Sequence, residues 1–180
     1  MQFKRSDKTV YILVGPKGSG KTYIGELIEK TLKIRFLSVE EYFMTAKKDR
    51  DDLDEEYFTE AWDLVEKRID RYMGQHRDML IDSIGTFKTF KKFLARLQNK
   101  YSVKLIQVKA PLNLCMERID RLDATKHAPM KRSTVQKVNR LGLKEKHRFD
   151  GCISNANSSD DEIIAMFKLL SRKSRSYNFR

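Results

Sequence analysis

The stretch from Thr9 to Thr22 decides the fold, and it reads TVYILVGPKGSGKT. Its first part, TVYILV, is apolar and rich in β-branched residues, which predicts a buried strand. The second part matches the pattern G-x-x-x-x-G-K-[ST] in full, the signature of a loop that surrounds a polyphosphate with main-chain N–H groups. The stretch therefore predicts a strand, a phosphate-binding loop and a helix whose positive N-terminal end faces the same ligand.

Each residue of this motif has a predicted part in binding ATP and Mg²⁺. The motif consists of Gly15, Pro16, Lys17, Gly18, Ser19, Gly20, Lys21 and Thr22. We expect Lys21 to reach the β- and γ-phosphates and the Thr22 hydroxyl to ligate Mg²⁺. The alternative is a glycine-rich turn without a ligand, but an apolar strand before the motif and an amphipathic helix after it supply the context that phosphate binding requires.

The composition indicates a globular chain and excludes several classes of protein. Of the 180 residues, 40% are hydrophobic, which is enough for a core, and there is no apolar run of the ~18 residues that a bilayer requires. The two cysteines and three histidines have neither disulfide nor metal-ligand spacing. The N-terminal residues lack a secretory signal, so we expect a cytoplasmic protein that does not bind membranes.

Charge is distributed unevenly along the chain. The formal net charge is +12, from 37 basic and 25 acidic residues. The segment Ser38 to Glu66 is strongly acidic, whereas Lys126 to Arg148 and the tail at residues 171–180 are basic. Such asymmetry indicates an anionic ligand such as phosphates, nucleic acid or acidic lipid, although a solubilising surface would produce the same pattern.

Strand and helix patterns alternate along the rest of the chain. The predicted strands are Thr9–Val14, Ile34–Ser38, Asp78–Asp82, Ser102–Val108 and Gly151–Ser154. The predicted helices are Lys21–Lys33, Leu53–Met73, Phe87–Leu97, Leu112–Leu122 and Asp160–Leu170. This alternation predicts an α/β fold with a parallel sheet that is covered by helices on both faces. Without repeats or linkers to mark a boundary, we expect one domain over residues 1–180.

The segment from Val10 to Phe43 resembles the small P-loop kinases, namely shikimate kinase, gluconate kinase and the nucleoside-monophosphate kinases. The run ILVGPKGSGKTYIGELIEKTLKIRFLSVEEYF looks like their opening strand, phosphate loop, first helix and second strand, and Gly25 stands where the shikimate type has glycine. The resemblance implies a three-layer α/β/α P-loop kinase fold with a five-stranded parallel sheet. It also implies a small basic lid at about residues 123–133 and acceptor-side helices at about residues 40–76.

The same resemblance suggests two acidic site residues. The second strand of these kinases ends as F-x-D-x-D, and here Ser38 replaces the first acid whereas Glu40 keeps the second. Glu40 would then accept a proton from the acceptor hydroxyl, although it would also suit the first turn of a helix without any role in the site. Asp82 ends the third strand, where a carboxylate holds Mg²⁺ through water in related enzymes.

Basic residues in the second half of the chain complete the predicted site. The run Leu105 to Asp123 looks like the fourth strand and following helix of these kinases, in which arginines contact the ATP phosphates. Arg118 and Arg121 are the matching candidates, and Arg132 falls in the lid; each would stabilise charge on the transferring phosphoryl group. The run FDGCISN resembles the fifth strand of guanylate and dephospho-coenzyme A kinases, which places Asn155 beside the adenine.

The sequence favours a kinase that transfers the γ-phosphoryl group of ATP to a hydroxyl or phosphate of a small molecule or nucleotide. The acceptor stays open, because residues 45–75 lack the F-R-x-x-E of shikimate kinases and the chain lacks the G-D-x-x-H of gluconate kinases. Two alternatives remain. The basic lid and tail would suit a polynucleotide 5′-kinase or a nucleotide-dependent RNA-binding protein. Ser38, in place of an acid, would suit a pseudo-kinase that binds nucleotide as a switch.

Overall fold

A five-stranded parallel sheet forms the centre of the computed structural model, which describes residues 7–46, 54–121 and 131–172. The strands are β1 (Thr9–Val14), β2 (Arg35–Leu37), β3 (Asp78–Ser83), β4 (Ser102–Lys109) and β5 (Gly151–Ser154). Their order in the sheet is β2-β3-β1-β4-β5, and every neighbouring pair is parallel. The predicted parallel sheet is therefore confirmed, with its most apolar strand, β1, at the centre.

Helices cover both faces of this sheet. They are α1 (Lys21–Leu32), α2 (Glu40–Ala46), α3 (Glu55–Met73), α4 (Phe87–Lys100), α5 (Leu112–Asp120), α6 (Arg132–Lys144) and α7 (Asp160–Arg172). Within the three described segments, none of them has the length and apolar character to cross a membrane.

Alternating side chains of β1 build the two halves of the core. Ile12 packs on one face against apolar residues of α3 and α4, including Trp62 and Phe93. Leu13 packs on the other face against residues of α1 and α7, including Phe167. This alternation follows from the period of two in a strand, and it produces the predicted three-layer α/β/α arrangement.

The carboxyl ends of β1 and β3 meet at one edge of the sheet, because neighbouring parallel strands run in the same direction. Leu13 lies opposite Asp82 in the register, and the Gly15 N–H donates to the Ser83 carbonyl over 3.2 Å. The turn after β1 and the acidic end of β3 are thereby neighbours. Ligands of open α/β sheets bind at this edge.

Gly25 explains how α1 and β2 approach each other. A Cβ at this position would collide with the ring of Phe36, a buried residue of β2. The absence of a side chain therefore lets the second strand pack directly on the first helix.

The prediction between residues 126 and 150 was partly wrong. The sequence analysis placed a small basic lid at about residues 123–133 and predicted no helix between this lid and the strand that begins at Gly151. In the structure, Arg132 is the first residue of α6, and residues 123–130 of the expected lid lie outside the described part. The helix carries Val135, Val138 and Leu141 at helical spacing, so an apolar periodicity was present in the sequence and was missed.

Two boundaries near the second strand also differ from the prediction. β2 covers only Arg35–Leu37, one residue shorter at each end than expected. Glu40 is the first residue of α2, so the alternative in which it begins a helix is confirmed as local structure. An acidic side chain in the first turn is favoured by the helix dipole.

Candidate active site

At two positions of the phosphate loop, the backbone adopts a conformation that favours glycine. Gly18 and Gly20 have φ values of 86° and 87°, in the left-handed region. A Cβ on Gly18 would collide with the Cys115 carbonyl group, and a Cβ on Gly20 would collide with the Asn155 amide. Neighbouring elements thus press directly on the main chain of the loop, which explains the spacing of the motif.

Lys21 is buried at the start of α1 and folds back onto the loop. Its Nζ donates to the carbonyl oxygens of Gly15 over 2.9 Å and of Pro16 over 2.8 Å. Burial lowers the pKa of Lys21, and the negative charge of Asp82 opposes that shift. The ammonium group is therefore held on the inner side of the loop by main-chain oxygens and a nearby carboxylate.

Asp82 lies at the end of β3 with only 7% of its surface exposed. Its Oδ1 accepts a hydrogen bond from the Val39 N–H over 3.0 Å, which ties the end of β3 to the start of α2. Burial raises the pKa of Asp82, whereas the positive charge of Lys21 lowers it. The two oppositely charged side chains are thus electrostatically coupled, and their roles toward phosphate and Mg²⁺ stay predictions of the sequence.

A second charged pair connects the phosphate loop to α2. Lys17 Nζ donates to Glu40 Oε1 over 2.9 Å, and both side chains are largely shielded, with 17% and 28% of their surfaces exposed. The charge of Glu40 also contributes to raising the pKa of Asp82. Glu40 therefore begins a helix and faces the loop at the same time, so the two interpretations of this residue are compatible.

Asn155 and Arg118 contact the loop from the opposite side. Asn155 Nδ2 donates to the Ser19 carbonyl over 2.8 Å, and Arg118 Nη2 donates to the Asn155 carbonyl over 2.9 Å. The side chain that was expected beside adenine therefore holds the main chain of the loop. Asn155 itself is positioned by its N–H, which donates to the Lys109 carbonyl over 2.8 Å.

Two buried polar atoms beside the loop have no hydrogen-bond partner within the described residues. They are Ser19 Oγ and Arg118 Nη1, and the second lies 3.7 Å from the place that a Gly20 Cβ would occupy. Buried polar groups are nearly always satisfied in folded proteins. A polyanion in the loop would provide the missing acceptors, so these residues fit ATP.

The residues also fit a magnesium ion bound together with phosphates. Thr22 is half-buried in the first turn of α1, and Asp82 lies at the adjacent strand end. In the described segments, no three His, Cys, Asp or Glu side chains are grouped as a metal site. Mg²⁺ commonly takes only one or two protein ligands and completes its shell with water and phosphate oxygens, which suits this pair.

Two of the three predicted arginines do not lie at the loop. Arg121 is exposed at the carboxyl end of α5, and Arg132 forms an exposed ion pair with Asp120. Both flank residues 122–130, which lie outside the described part, as does most of the expected basic lid. Among the contacts between described residues, Arg118 is the arginine of the three that binds a residue in direct contact with the loop, namely Asn155.

Two residues with contacts near the site were missed by the sequence analysis. Asn139 on α6 hydrogen-bonds the main chain of Lys17, and His147 Nε2 donates to the Gly85 carbonyl over 2.7 Å in the turn after β3. Neither residue belongs to a recognisable motif. The available signal was the helical spacing of Val135, Val138 and Leu141, which indicates a helix in this segment but does not identify Asn139 as a residue that contacts the loop.

Comparison with known proteins supports the family and the fold. A family model described as an AAA domain matches residues 10–140. No curated protein sequence matches the chain.

Solved structures with a similar fold include several kinases. A putative kinase from Chloroflexus aurantiacus J-10-fl has a TM-score of 0.68 at 14% identity, covering 91% of this chain and 98% of that chain. The APS kinase of Mycobacterium tuberculosis, in complex with AMPPNP and APS, has a TM-score of 0.62 at 16% identity, covering 93% and 99%. The shikimate kinase of Acinetobacter baumannii, in complex with shikimate, has a TM-score of 0.57 at 16% identity, covering 95% and 96%. At these identities the likeness confirms the predicted P-loop kinase fold.

Proposed function

The chain belongs to the AAA-domain family, and from this membership, its fold and its phosphate loop we propose that it is an ATP-dependent phosphotransferase. It transfers the γ-phosphoryl group of ATP to a hydroxyl or phosphate of a small molecule or nucleotide. One observation carries the proposal: Lys21 is buried between loop carbonyls and Asp82, directly beside the Lys17–Glu40 pair. Lys21 thus provides positive charge for the phosphoryl group, and Glu40 provides a carboxylate nearby for the acceptor.

The loop and its neighbours provide the phosphate half of this site. Main-chain N–H groups of the loop bind the phosphates, and Lys21 and Arg118 stabilise the charge that develops during transfer. Thr22 and Asp82 hold Mg²⁺, which when bound neutralises phosphate oxygens. The predicted roles of Arg121 and Arg132 depend on residues 122–130, and we retain both as candidates for the closed lid.

Glu40 and the helices around it provide the acceptor half. Lys17 directs the Glu40 carboxylate toward the loop, where it orients the acceptor and accepts its proton. We propose that α2 and α3, within residues 40–76, form the acceptor side of a single domain that covers the whole chain. Such a site favours an acceptor with a free hydroxyl or a phosphate that Lys17 can contact.

A substrate screen tests this proposal. Purified protein is incubated with ATP and Mg²⁺ plus nucleosides, nucleotides, sugars, hydroxy acids or oligonucleotides, and ADP release is measured. We expect acceptor-dependent ADP release that is absent from the matched Lys21→Ala variant. Release that no acceptor increases would identify a hydrolase, and nucleotide binding without any release would favour the pseudo-kinase alternative.

The net charge of +12 supports a second candidate, in which the acceptor is the 5′ end of a nucleic acid. The oligonucleotide arm of the screen distinguishes it from the small-molecule enzyme. Phosphorylation or binding of oligonucleotides that weakens steeply with added salt would favour this candidate, because binding through phosphates releases counterions.

A further inference from the structure

Asn139 pairs with both main-chain polar groups of a single loop residue. Its Oδ1 accepts the N–H of Lys17 over 2.7 Å, and its Nδ2 donates to the carbonyl of Lys17 over 3.0 Å. Only 2% of Asn139 is exposed, on a helix whose residues are otherwise mostly in contact with solvent. Burying an amide is unfavourable unless its groups are paired, and here the pairing is directed entirely at the phosphate loop.

Lys17 lies at the centre of the contacts that shape this loop. Its side chain binds Glu40. The preceding residue, Pro16, accepts hydrogen bonds at its carbonyl from Lys21 Nζ over 2.8 Å and from the Ser19 N–H over 3.1 Å. Fixing the main chain of Lys17 therefore fixes the carbonyl that holds Lys21 and the side chain that holds Glu40.

The helix that carries Asn139 contacts other elements near both of its ends. At its start, Arg132 pairs with Asp120 at the end of α5. Near its end, a Cβ on Gly142 would lie 3.4 Å from the Ile84 carbonyl oxygen, so α6 packs against the turn that follows Asp82. Asn139 thus extends from a helix that has contacts of its own outside the loop.

We propose that Asn139 is a positioning residue: through Lys17, it holds the phosphate loop in the conformation that binds polyphosphates. The role requires a side chain that accepts and donates in the same plane, as an amide does and as a carboxylate or a methyl group does not. This inference concerns the same site as the proposed function and rests on it, but its test requires only nucleotide binding.

The test compares Asn139→Ala with Gln136→Ala, an exposed residue of the same helix. Calorimetry gives the Kd for ATP and ADP with Mg²⁺ and for AMP, and thermal melting reports the fold. We expect Asn139→Ala to raise the Kd for ATP and ADP about tenfold, the loss that two buried hydrogen bonds would cause. The Kd for AMP should not change, because AMP lacks the β-phosphate that the loop surrounds, and Gln136→Ala should resemble the wild type.

Asn139→Asp provides a second variant with nearly unchanged shape. Its carboxylate accepts the Lys17 N–H but opposes the Lys17 carbonyl, so we expect the same selective loss of ATP and ADP affinity. Wild-type affinity in either folded variant would contradict the proposal, as would equal weakening of ATP, ADP and AMP. Unfolding of both variants would assign Asn139 to stability instead and would also overturn it. A wild-type protein that binds ATP but phosphorylates no acceptor would overturn only the proposed function.

Discussion

The phosphate loop and α6 contact each other through Lys17 and Asn139, yet their conformations have different origins. The conformation of the loop is favoured by its own sequence, because Gly18 and Gly20 adopt left-handed φ angles that other residues rarely reach. The position of α6 is determined by contacts with distant residues, and Asn139 and Lys17 are 122 positions apart. The comparison suggests that the loop supplies the phosphate chemistry and that α6 maintains its geometry. The predictions below test this division of roles.

The largest expected effect belongs to Lys21. Replacing it with alanine removes the ammonium group that the proposed mechanism places on the transferring phosphate, so we expect kcat to fall by about 10³-fold or more. The matched control is Lys30→Ala, at an exposed position in the last turn of the same helix, which should retain full activity. If Lys21→Ala kept a kcat near that of the wild type, the loop would have no catalytic role.

A pair of glycine substitutions addresses the comparison directly. Gly20→Ala places a Cβ at a φ of 87° and against the Asn155 amide, so we expect the Kd for ATP to rise at least about tenfold. Gly142→Ala on α6 meets only ordinary contacts in a helix, where alanine is favoured by about 1 kcal/mol, so it should preserve binding and slightly raise the melting temperature. If Gly20→Ala and Gly142→Ala both kept the wild-type Kd for ATP, the proposed difference between the loop and α6 would be contradicted.

A third prediction separates the side chain of Lys17 from its main chain. Lys17→Met removes the pair with Glu40 but keeps the N–H and carbonyl that bind Asn139. We expect the KM for the acceptor to rise about tenfold, as for a partly shielded charge pair of about 1–2 kcal/mol, with little change in the Kd for ATP. Steady-state kinetics and calorimetry measure the two quantities, and the reverse pattern would place Lys17 on the nucleotide side.

The smallest effect concerns a residue remote from both regions. Tyr101 donates a hydrogen bond to Asp70 over 2.8 Å, and burial together with this bond raises the pKa of Tyr101 to about 12. The folded state therefore keeps this proton longer than the unfolded state, so the stabilisation is complete below about pH 10 and is lost as the pH rises toward 12.

Tyr101→Phe should accordingly lower the free energy of unfolding by about 1 kcal/mol at pH 8, with unchanged ATP affinity. The difference from the wild type should narrow between pH 10 and pH 12 in urea titrations. A difference that widens with pH would show that the hydroxyl is not held in its neutral form.

The fold could be predicted where one feature of the sequence determines one element. The apolar run of β1 and the glycine spacing after it predicted the strand, loop and helix, and the bounds of the remaining strands were predicted to within one residue. α6 was missed although Val135, Val138 and Leu141 have helical spacing. The burial of Asn139 could not be predicted, because its partner is distant in sequence. The contact of Asn155 was mispredicted for the same reason. Its side chain was expected beside the base, but it binds the main chain of the loop, which is distant in sequence.

Arg121 and Arg132 show how far site residues could be predicted from the sequence. Their positions matched the related kinases, but the surfaces they contact depend on how α5 and α6 meet, and each is exposed here. Arg118, three residues before Arg121, reaches the Asn155 carbonyl because it lies on the side of α5 that faces β5. Residue type and spacing identified these arginines, and only the tertiary structure separated them.

The central claim is that the turn after β1 binds the phosphates of ATP, and calorimetric titration with ATP and Mg²⁺ tests it most directly. The account predicts saturable binding at one site per chain, with a Kd between about 1 µM and 1 mM, the range that enzymes show for their substrates. It also predicts that Gly20→Ala weakens this binding. No saturable heat from the wild-type protein, or binding that Gly20→Ala leaves unchanged, would contradict it.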